Sequence, residues 1–241
     1  MRMAVAGGTG WVGKLVVEKA RAADHEVVVM SRSTGVDLTT GAGLDEALRG
    51  VDVVIDVVNI ETLSRKAAVG FFETTTRHLL AAEQKAGVKH HVALSIVGVD
   101  RVDSGYYAGK RRQEELVLAG PIPATVLRAT QFHEFAAQVL ARVPGPVKVA
   151  PVMVTRPVAA ADVAAELVRL AEGPAQGLGP EIAGPEVLRL ADMMRRVAPG
   201  KLVLSLPLPG AAARAMARDG LLPVGQFRQG GITFEKWAAT R

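Results

Sequence analysis

Short apolar runs alternate with longer segments of helical spacing through the first half of the chain. The run at 3–6 predicts a strand, and apolar residues at intervals of three and four predict a helix over about 12–22. The same pattern predicts strands at 25–30, 36–38, 51–58, 91–96 and 124–128, and helices at 44–48, 63–86, from about 105, and around 132–139. Strands that alternate with helices indicate an α/β protein with a parallel, doubly wound sheet.

Proline and glycine become frequent after residue 143, and the simple alternation ends there. We expect a helix over 160–171, a Gly/Pro-rich stretch over 173–184, and then two short helices and a strand around 202–204. We therefore divide the chain into a core at 1–143 and a C-terminal extension at 144–241 within the same globular unit. The extension is expected to close the sheet edge and to cover a ligand.

Four glycines mark the predicted turn between the first strand and the first helix. They fit the dinucleotide fingerprint from Gly8 to Gly13, and a looser relative of it from Gly7 to Gly13. Glycine permits the tight turn and the close approach of a diphosphate, whose charge is attracted to the free N–H groups of the helix start. The predicted diphosphate-binding residues are Gly7, Gly8, Thr9, Gly10, Trp11 and Val12.

The end of the second strand bears on the choice of nucleotide. A protein that prefers NAD carries an acidic residue there for the ribose 2′-hydroxyl, whereas this chain has Arg32 beside Ser31. A cation and a hydroxyl suit a 2′-phosphate, which predicts NADP(H). Asp37 is a candidate contact to the adenine amino group, and the segment Val57, Val58 and Asn59 is expected near the nicotinamide half.

A tyrosine and a lysine four residues apart form the candidate catalytic pair. Tyr106 and Lys110 share one helix face, and a neighbouring ammonium is expected to lower the pKa of a phenol. Such a phenol can protonate a carbonyl oxygen while hydride arrives from the nicotinamide. Tyr107 also shares a face with Lys110, and we favour Tyr106 as the acid. Ser95, at the carboxyl end of a strand, is expected to orient the same oxygen.

Composition narrows the class of protein. The 241 residues are 49% hydrophobic and 22% charged, which is typical of a well-cored globular protein. The absence of cysteine excludes disulfides and thiol catalysis, and neither a signal peptide nor a membrane span is recognisable. We therefore expect a cytoplasmic protein. The net charge of +5 favours anionic ligands, but no basic run interleaved with aromatics indicates nucleic-acid binding.

The remaining candidate residues are weaker. His133 is expected near the rim of the pocket, and His78, His90 and His91 are expected to be structural. No grouping of His, Asp and Glu has the spacing of metal ligands, and no Gly-x-Ser-x-Gly elbow indicates a hydrolase.

Several motifs together resemble the atypical short-chain dehydrogenase/reductases, in particular the NmrA-like NAD(P)-binding branch. The resemblance extends from residue 1 to about 170 and depends on the order and spacing of the motifs. They are Gly7–Gly13, Ser31–Ser33, Leu94–Asp100, Tyr106–Lys110, Leu127–Phe132, Arg156–Val158 and Asp162–Ala164.

This resemblance implies a Rossmann-type fold that binds NADP(H), with the substrate held by the variable C-terminal part. It implies that Arg32 contacts the 2′-phosphate, that Lys110 contacts the nicotinamide ribose, and that 129–132 passes beside the nicotinamide. Many relatives have a second serine where this chain has Ile96.

The sequence is compatible with three functions. The first is an NADP-dependent reductase of a small, largely apolar carbonyl, quinone or enone compound. The second is a regulator that senses the nucleotide without turnover, and the third is a nucleotide-sugar epimerase, which the leucine-rich stretch at 202–208 disfavours. We expect a small-molecule substrate, no nucleic-acid or membrane partner, and a monomer or homodimer.

Overall fold

A computed structural model describes residues 1–240 of the chain. Its first 130 residues alternate strands and helices much as the hydrophobic pattern predicts. The strands are β1 (Arg2–Ala6), β2 (Glu26–Met30), β3 (Val53–Asp56), β4 (His90–Ile96) and β5 (Ala124–Ala129). The helices are α1 (Trp11–Ala22), α2 (Leu44–Ala47), α3 (Arg65–Ala86) and α4 (Gly105–Leu118), and a 3₁₀ turn lies at Arg32–Thr34.

The later part of the chain contains shorter elements. Its strands are β6 (Val147–Pro151), β7 (Val154–Thr155), β8 (Gly177–Ala183), β9 (Leu188–Arg189), β10 (Leu202–Leu206) and β11 (Phe227–Gln229). Its helices are α5 (Phe135–Arg142), α6 (Ala160–Glu172), α7 (Leu190–Val197), α8 (Ala211–Met216) and α9 (Phe234–Ala238).

Seven strands form the main sheet in the order β11-β8-β5-β4-β3-β1-β2. β1 pairs in parallel with both β2 and β3, and β3 pairs in parallel with β4. All four residues of β3 are buried, as the nearly continuous apolar run at 51–58 predicts for a strand covered on both faces. The predicted doubly wound α/β fold is confirmed.

The chain divides into two compact units. The first comprises 1–95, 104–128 and 163–180, and the second comprises 96–103, 129–162 and 181–240. The first unit contains the glycine-rich turn and helices α1, α3 and α4. The second contains two small two-stranded sheets, β10-β6 and β7-β9. The boundary that we placed at residue 144 stays a prediction.

Several predicted elements are wrong in detail. The expected strand at 36–38 is reduced to an isolated bridge between Asp37 and Ala42, because left-handed glycines at 35, 41 and 43 turn the chain on either side. Phe132 precedes helix α5 rather than lying on it, and it forms a bridge to Val158. The secondary structure of such short segments depends on which distant residues they pair with, so the local hydrophobic pattern does not predict it.

The C-terminal region is richer in structure than its composition suggests. The Gly/Pro-rich stretch at 173–184 contains strand β8, and the region after it has three helices and the strands β9, β10 and β11. A side chain at Gly179 would bring its Cβ within 2.9 Å of the Thr125 methyl carbon of β5. Glycine thus lets β8 lie close to its neighbour, although glycine is ordinarily a poor strand former.

Helices α3 and α4 pack unusually closely through small residues. A Cβ at Gly109 of α4 would lie 2.8 Å from the backbone and the side chain of Ala68 on α3, and a Cβ at Gly105 would lie 2.3 Å from the Leu63 carbonyl oxygen. Ser104 caps α4 by accepting a hydrogen bond from the backbone N–H of Tyr107 at 3.4 Å. The start of α4 is therefore held tightly against the residues that precede and begin α3.

The close contact between these helices predicts opposite effects for two Gly-to-Ala changes. Gly109→Ala is expected to destabilise the protein by about 2 kcal/mol, because the helices must move apart to admit a methyl group. Gly70→Ala is the matched control. Gly70 lies on α3, and, apart from its chain neighbours and the backbone of its own helix, no atom of residues 1–240 lies within 4 Å of the point that a Cβ would occupy, so the change should stabilise the protein by about 0.5–1 kcal/mol. Urea denaturation of the two variants measures both effects, and equal stabilities would contradict this packing.

Candidate functional site

The turn between β1 and α1 is built so that only glycine fits at several positions. Gly7 has a left-handed backbone with φ of +78°, and a Cβ at Gly13 would lie 2.1 Å from the Gly7 carbonyl oxygen. A Cβ at Gly8 would lie 2.9 Å from the carbonyl oxygen of Val5. Gly10 is the N-cap of α1 and makes no side-chain cap there, and the N-terminus of a helix is a favourable position for an anion.

The segment after β3 lies directly against this turn. The backbone N–H of Val57 donates to the carbonyl oxygen of Ala6 at 3.1 Å. A Cβ at Gly7 would lie 3.1 Å from the Val57 carbonyl oxygen and 3.2 Å from the Val58 Cα. Two groups of residues that the sequence indicated separately, the glycine turn and 57–59, are thus brought together at the carboxyl ends of neighbouring strands.

The predicted 2′-phosphate site lies in the turn that follows β2. Arg32 is exposed, and the hydroxyl groups of Ser31 and Ser33 lie 2.9 Å apart. Asp37 accepts hydrogen bonds from the Thr39 hydroxyl at 2.6 Å and the Thr39 backbone N–H at 2.8 Å, and these bonds hold the pKa of the Asp37 carboxyl below its usual value. The predicted contact of Asp37 to adenine stays a prediction.

Tyr106 reaches the residue that follows the β3 segment. Its hydroxyl donates a hydrogen bond of 2.5 Å to the side-chain oxygen of Asn59. Its ring also contacts Phe72 edge to face, with centroids 5.9 Å apart. Tyr107 is 8% exposed and its ring centroid lies 6.4 Å from that of Tyr106. The phenol of Tyr106 is therefore hydrogen-bonded to the segment beside the glycine turn.

Lys110 does not tune this phenol in the way the spacing predicts. Its ammonium is buried, donates to the side-chain oxygen of Gln113 at 2.5 Å, and lies 4.7 Å from the centre of the Phe72 ring. Burial raises the pKa of Tyr106 above its usual value of 10.0. The expected lowering of the phenol pKa is wrong for this structure, because the lysine is directed to a different partner.

Burial also shifts the ionisation of the lysine itself. Desolvation lowers the pKa of Lys110 from 10.5 to about 8, and the nearby charges of Asp56 and Glu114 partly oppose this effect. Lys110 is thus close to its midpoint of ionisation in mildly alkaline solution. The sequence did not indicate Asp56, Phe72 or Gln113 as parts of this site, although Gln113 follows Lys110 by three residues on the same helix.

Ser95 lies in β4, one residue before its end, and is buried. Among the described residues its hydroxyl oxygen has no hydrogen-bond partner. A buried hydroxyl without a partner is uncommon and leaves a hydrogen bond to be made. The glycine turn, which a single methyl group would fill, fits the close approach of a diphosphate, and the Ser95 hydroxyl could still donate one hydrogen bond.

The histidines that the sequence ranked lower have structural partners. Nδ1 of His78 lies 2.9 Å from the carbonyl oxygen of Leu38, and Nε2 of His90 lies 2.9 Å from the hydroxyl of Thr125. His133 is buried and contacts Phe234 and Trp237. Within residues 1–240, no group of His, Asp and Glu side chains is arranged to hold a metal ion. The helices of that same range are too short or too polar to span a membrane.

Comparison with known proteins supports a nucleotide site. A family model described as "NAD(P)H-binding" matches residues 7–174. A curated relative from Streptomyces griseus, (4-alkanoyl-5-oxo-2,5-dihydrofuran-3-yl)methyl phosphate reductase, is 33% identical over 144 residues. The match covers 53% of this chain and 47% of the relative, so the chain spans about half the length of that protein.

Solved structures share the fold at low sequence identity. NADPH-dependent quinone oxidoreductase from Escherichia coli, solved with NADPH, gives a TM-score of 0.77 at 20% identity and covers 99% of both chains. A short-chain dehydrogenase/reductase superfamily protein from Agrobacterium tumefaciens with bound NAD gives 0.75 at 18%, covering 100% of this chain and 95% of that one. Triphenylmethane reductase from Citrobacter with NADP(H) gives 0.71 at 16%, covering 93% of each.

The lowered pKa of Lys110 predicts a distinctive dependence of stability on pH. Between about pH 8 and 10.5 the unfolded chain binds the lysine proton more readily than the folded one, so the free energy of unfolding rises with pH in that window. In Lys110→Met this contribution is absent. The stability of the wild type relative to Lys110→Met should increase by on the order of 3 kcal/mol across the window. Urea denaturation at several pH values measures it, and parallel curves for the two proteins would refute the assignment.

Proposed function

The chain belongs to the NAD(P)H-binding family, and from this premise we propose that it is an NADPH-dependent oxidoreductase that reduces a small, largely apolar carbonyl, quinone or enone compound. The observation that carries the proposal is the hydrogen bond between Tyr106 and Asn59. It puts a phenol next to the segment that borders the glycine turn, where the nicotinamide half of a nucleotide is expected.

The nucleotide would be held by groups of the first unit. The N–H groups at the start of α1 would bind the diphosphate, and the glycines allow it to approach the backbone closely. Arg32, with Ser31 and Ser33, would bind the 2′-phosphate, which is the reason for preferring NADPH over NADH. The exposed guanidinium of Arg32 is accessible to such a phosphate.

In this proposal the bound nucleotide supplies the hydride, and the protein supplies the proton. Tyr106 keeps its proton at neutral pH, since the ordinary phenol pKa is 10.0 and burial raises it further, and it is thus in the form that a general acid requires. Its O–H would turn from Asn59 to the substrate oxygen. Ser95 would donate its unused hydrogen bond to the same oxygen, and Lys110 would contact the ribose hydroxyls.

The substrate class is inferred from the second unit and from the relatives. On β10 and just after it, the leucines at 202, 204, 206 and 208 are between 43% and 58% exposed, whereas Val203 is buried. Exposed apolar side chains in a row favour an apolar ligand over a sugar, which disfavours the epimerase function. The named substrate of the Streptomyces relative is an alkanoyl dihydrofuranone phosphate, and that of the Escherichia coli structure is a quinone.

A regulator that binds the nucleotide without turnover is the second candidate. The observation that favours it is the orientation of Lys110, whose ammonium is hydrogen-bonded to Gln113 instead of acting on the phenol. Ile96 also favours a regulator, because it replaces the second serine that many relatives have at this position. Tight NADPH binding with no oxidation of NADPH by any of a panel of quinones and enones would favour the regulator.

Replacing each tyrosine in turn tests the acid. Tyr106→Phe should lower kcat by roughly 10²–10⁴-fold, because it removes the proton donor, while NADPH binding is kept. Tyr107→Phe is the matched control, since it removes a neighbouring phenol on the same helix and should leave kcat within about threefold. Stopped-flow or steady-state oxidation of NADPH measures both. Full activity in Tyr106→Phe would exclude it as the acid.

The preference for NADPH is tested at the turn after β2. Arg32→Ala should weaken NADPH binding by about tenfold or more and leave NADH binding unchanged, because a hydrogen-bonded charge pair to the 2′-phosphate is lost. Arg21→Ala, an exposed arginine of α1, is the control for a general loss of positive charge. Calorimetric titration of the three proteins with each nucleotide gives six dissociation constants, and equal affinities of the wild type for the two nucleotides would contradict the prediction.

A further inference from the structure

Lys110 is the end of a buried chain of hydrogen bonds that the candidate mechanism does not use. The side chain is 4% exposed, and its ammonium lies between the Gln113 amide oxygen and the face of the Phe72 ring. A buried ammonium is stable only where acceptors and opposite charge compensate the loss of water. The partners of Lys110 therefore determine both its position and its charge.

Gln113 joins the lysine to a carboxylate on a different element. Its amide oxygen accepts from Lys110, and its amide nitrogen donates to Oδ2 of Asp56 at 2.8 Å. Gln113 is 2% exposed and Asp56 is 2% exposed, so neither group has an alternative partner in solvent. An amide is suited to this position because its oxygen accepts a hydrogen bond and its nitrogen donates one.

Asp56 connects this chain to the segment beside the glycine turn. It is the last residue of β3, and its Oδ1 accepts from the backbone N–H of Val58 at 2.9 Å. The same segment, through Val57, lies against Gly7. The carboxylate is thereby fixed to the backbone at the point where the candidate nucleotide site is built.

A buried histidine and glutamate lie behind Asp56. Nδ1 of His91 is 2.8 Å and 3.0 Å from the two carboxylate oxygens of Glu83, and its Nε2 is 4.0 Å from Oδ2 of Asp56. Burial acts to lower the pKa of His91, but the charge and the hydrogen bond of Glu83, together with the charge of Asp56, outweigh it and raise the pKa overall. The imidazole ring thus lies between two carboxyl groups, with its second nitrogen turned towards Asp56.

The charges of this chain balance. The pair of His91 and Glu83 is neutral overall wherever its shared proton resides, and the charge of Asp56 compensates that of Lys110. The other carboxylate near Lys110, Glu114, is already paired with Arg128 at 2.7 Å and 2.9 Å. A balanced, fully buried set of this kind holds its members in one arrangement, since each depends on its neighbour for compensation.

We propose that Gln113 and Asp56 are positioning residues for Lys110, and that the His91–Glu83 pair supports Asp56 from behind. This inference rests on the proposed function, in which Lys110 contacts the ribose. The carboxylate of Asp56 does not contact the ammonium directly, but it orients the Gln113 amide that accepts the hydrogen bond from Lys110. The lysine is thereby held at a fixed point relative to the segment that borders the nucleotide.

An exchange of the amide and the carboxylate gives the sharpest test. In the double variant Asp56→Asn/Gln113→Glu, the amide oxygen introduced at position 56 can accept from Val58, and the amide nitrogen there can donate to the carboxylate introduced at position 113. That carboxylate in turn accepts from Lys110. Every hydrogen bond and the net charge are kept, but the negative charge now adjoins the ammonium.

The single variants Gln113→Leu and Asp56→Asn each break the chain of hydrogen bonds. Gln84→Leu, on the exposed face of α3, is the control.

The charge of Lys110 is measured by ¹³C NMR of its Cε carbon, assigned with Lys110→Met, and folding is checked by thermal denaturation. Gln113→Leu and Asp56→Asn should lower the pKa of Lys110 by about one unit, because each removes a group that favours the charged form. The double variant should raise the pKa above the wild-type value of about 8, and Gln84→Leu should leave it unchanged. NADPH affinity should fall about tenfold in each single variant and return to within about threefold in the exchange.

A Lys110 titration that is the same in the wild type, Gln113→Leu and the folded double variant would overturn the inference, even if all variants lose thermal stability. Loss of stability alone would show that the chain is merely structural. Failure of the proposed function is a different result: the wild type would then bind no NADPH or oxidise none. In that case the NMR titration, which needs no nucleotide, still decides whether Gln113 and Asp56 position the lysine.

Discussion

The close contact between Gly13 and the carbonyl oxygen of Gly7 is the constraint on which the site depends. No side chain fits there, because even a Cβ would lie at 2.1 Å. The contact brings the start of α1 against the end of β1. It also leaves room for the segment after β3 to lie alongside Gly7. Without this turn the carboxyl ends of β1 and β3 would present no surface suited to a diphosphate.

A second set of close contacts holds the helix that carries Tyr106 and Lys110 against α3. Gly105 and Gly109 let α4 approach the beginning of α3, and the same helix carries both Tyr106 and Lys110. The phenol consequently meets Asn59, while the lysine is turned towards Gln113 and Asp56. Side chains four residues apart on one helix thus have different partners, since the phenol bonds to Asn59 after β3 and the lysine bonds to Gln113 on its own helix.

Much of this arrangement could be predicted from the sequence, because it depends on local periodicity and on glycine. Apart from the expected strand at 36–38, the alternation of apolar runs predicted the order of the strands and helices up to residue 130, and the glycines predicted the turn. The environment of Lys110 could not be predicted in this way. Whether an ammonium faces a phenol or an amide is decided by residues such as Asp56 and Phe72, which are distant in the chain. Strand β8 was missed for a related reason, since its neighbour rather than its composition stabilises it.

The hydrogen bond from Tyr106 to Asn59 has a consequence for selectivity. A phenol has one proton to give, and this one is already engaged by an amide oxygen at 2.5 Å. If Tyr106 is the proton donor, as proposed, an incoming compound must compete with Asn59 as the acceptor of this hydrogen bond. Compounds with strongly basic oxygens would then displace Asn59, whereas weak acceptors would leave the tyrosine bound to the asparagine. Discrimination among ligands of similar shape would then follow the basicity of a single atom.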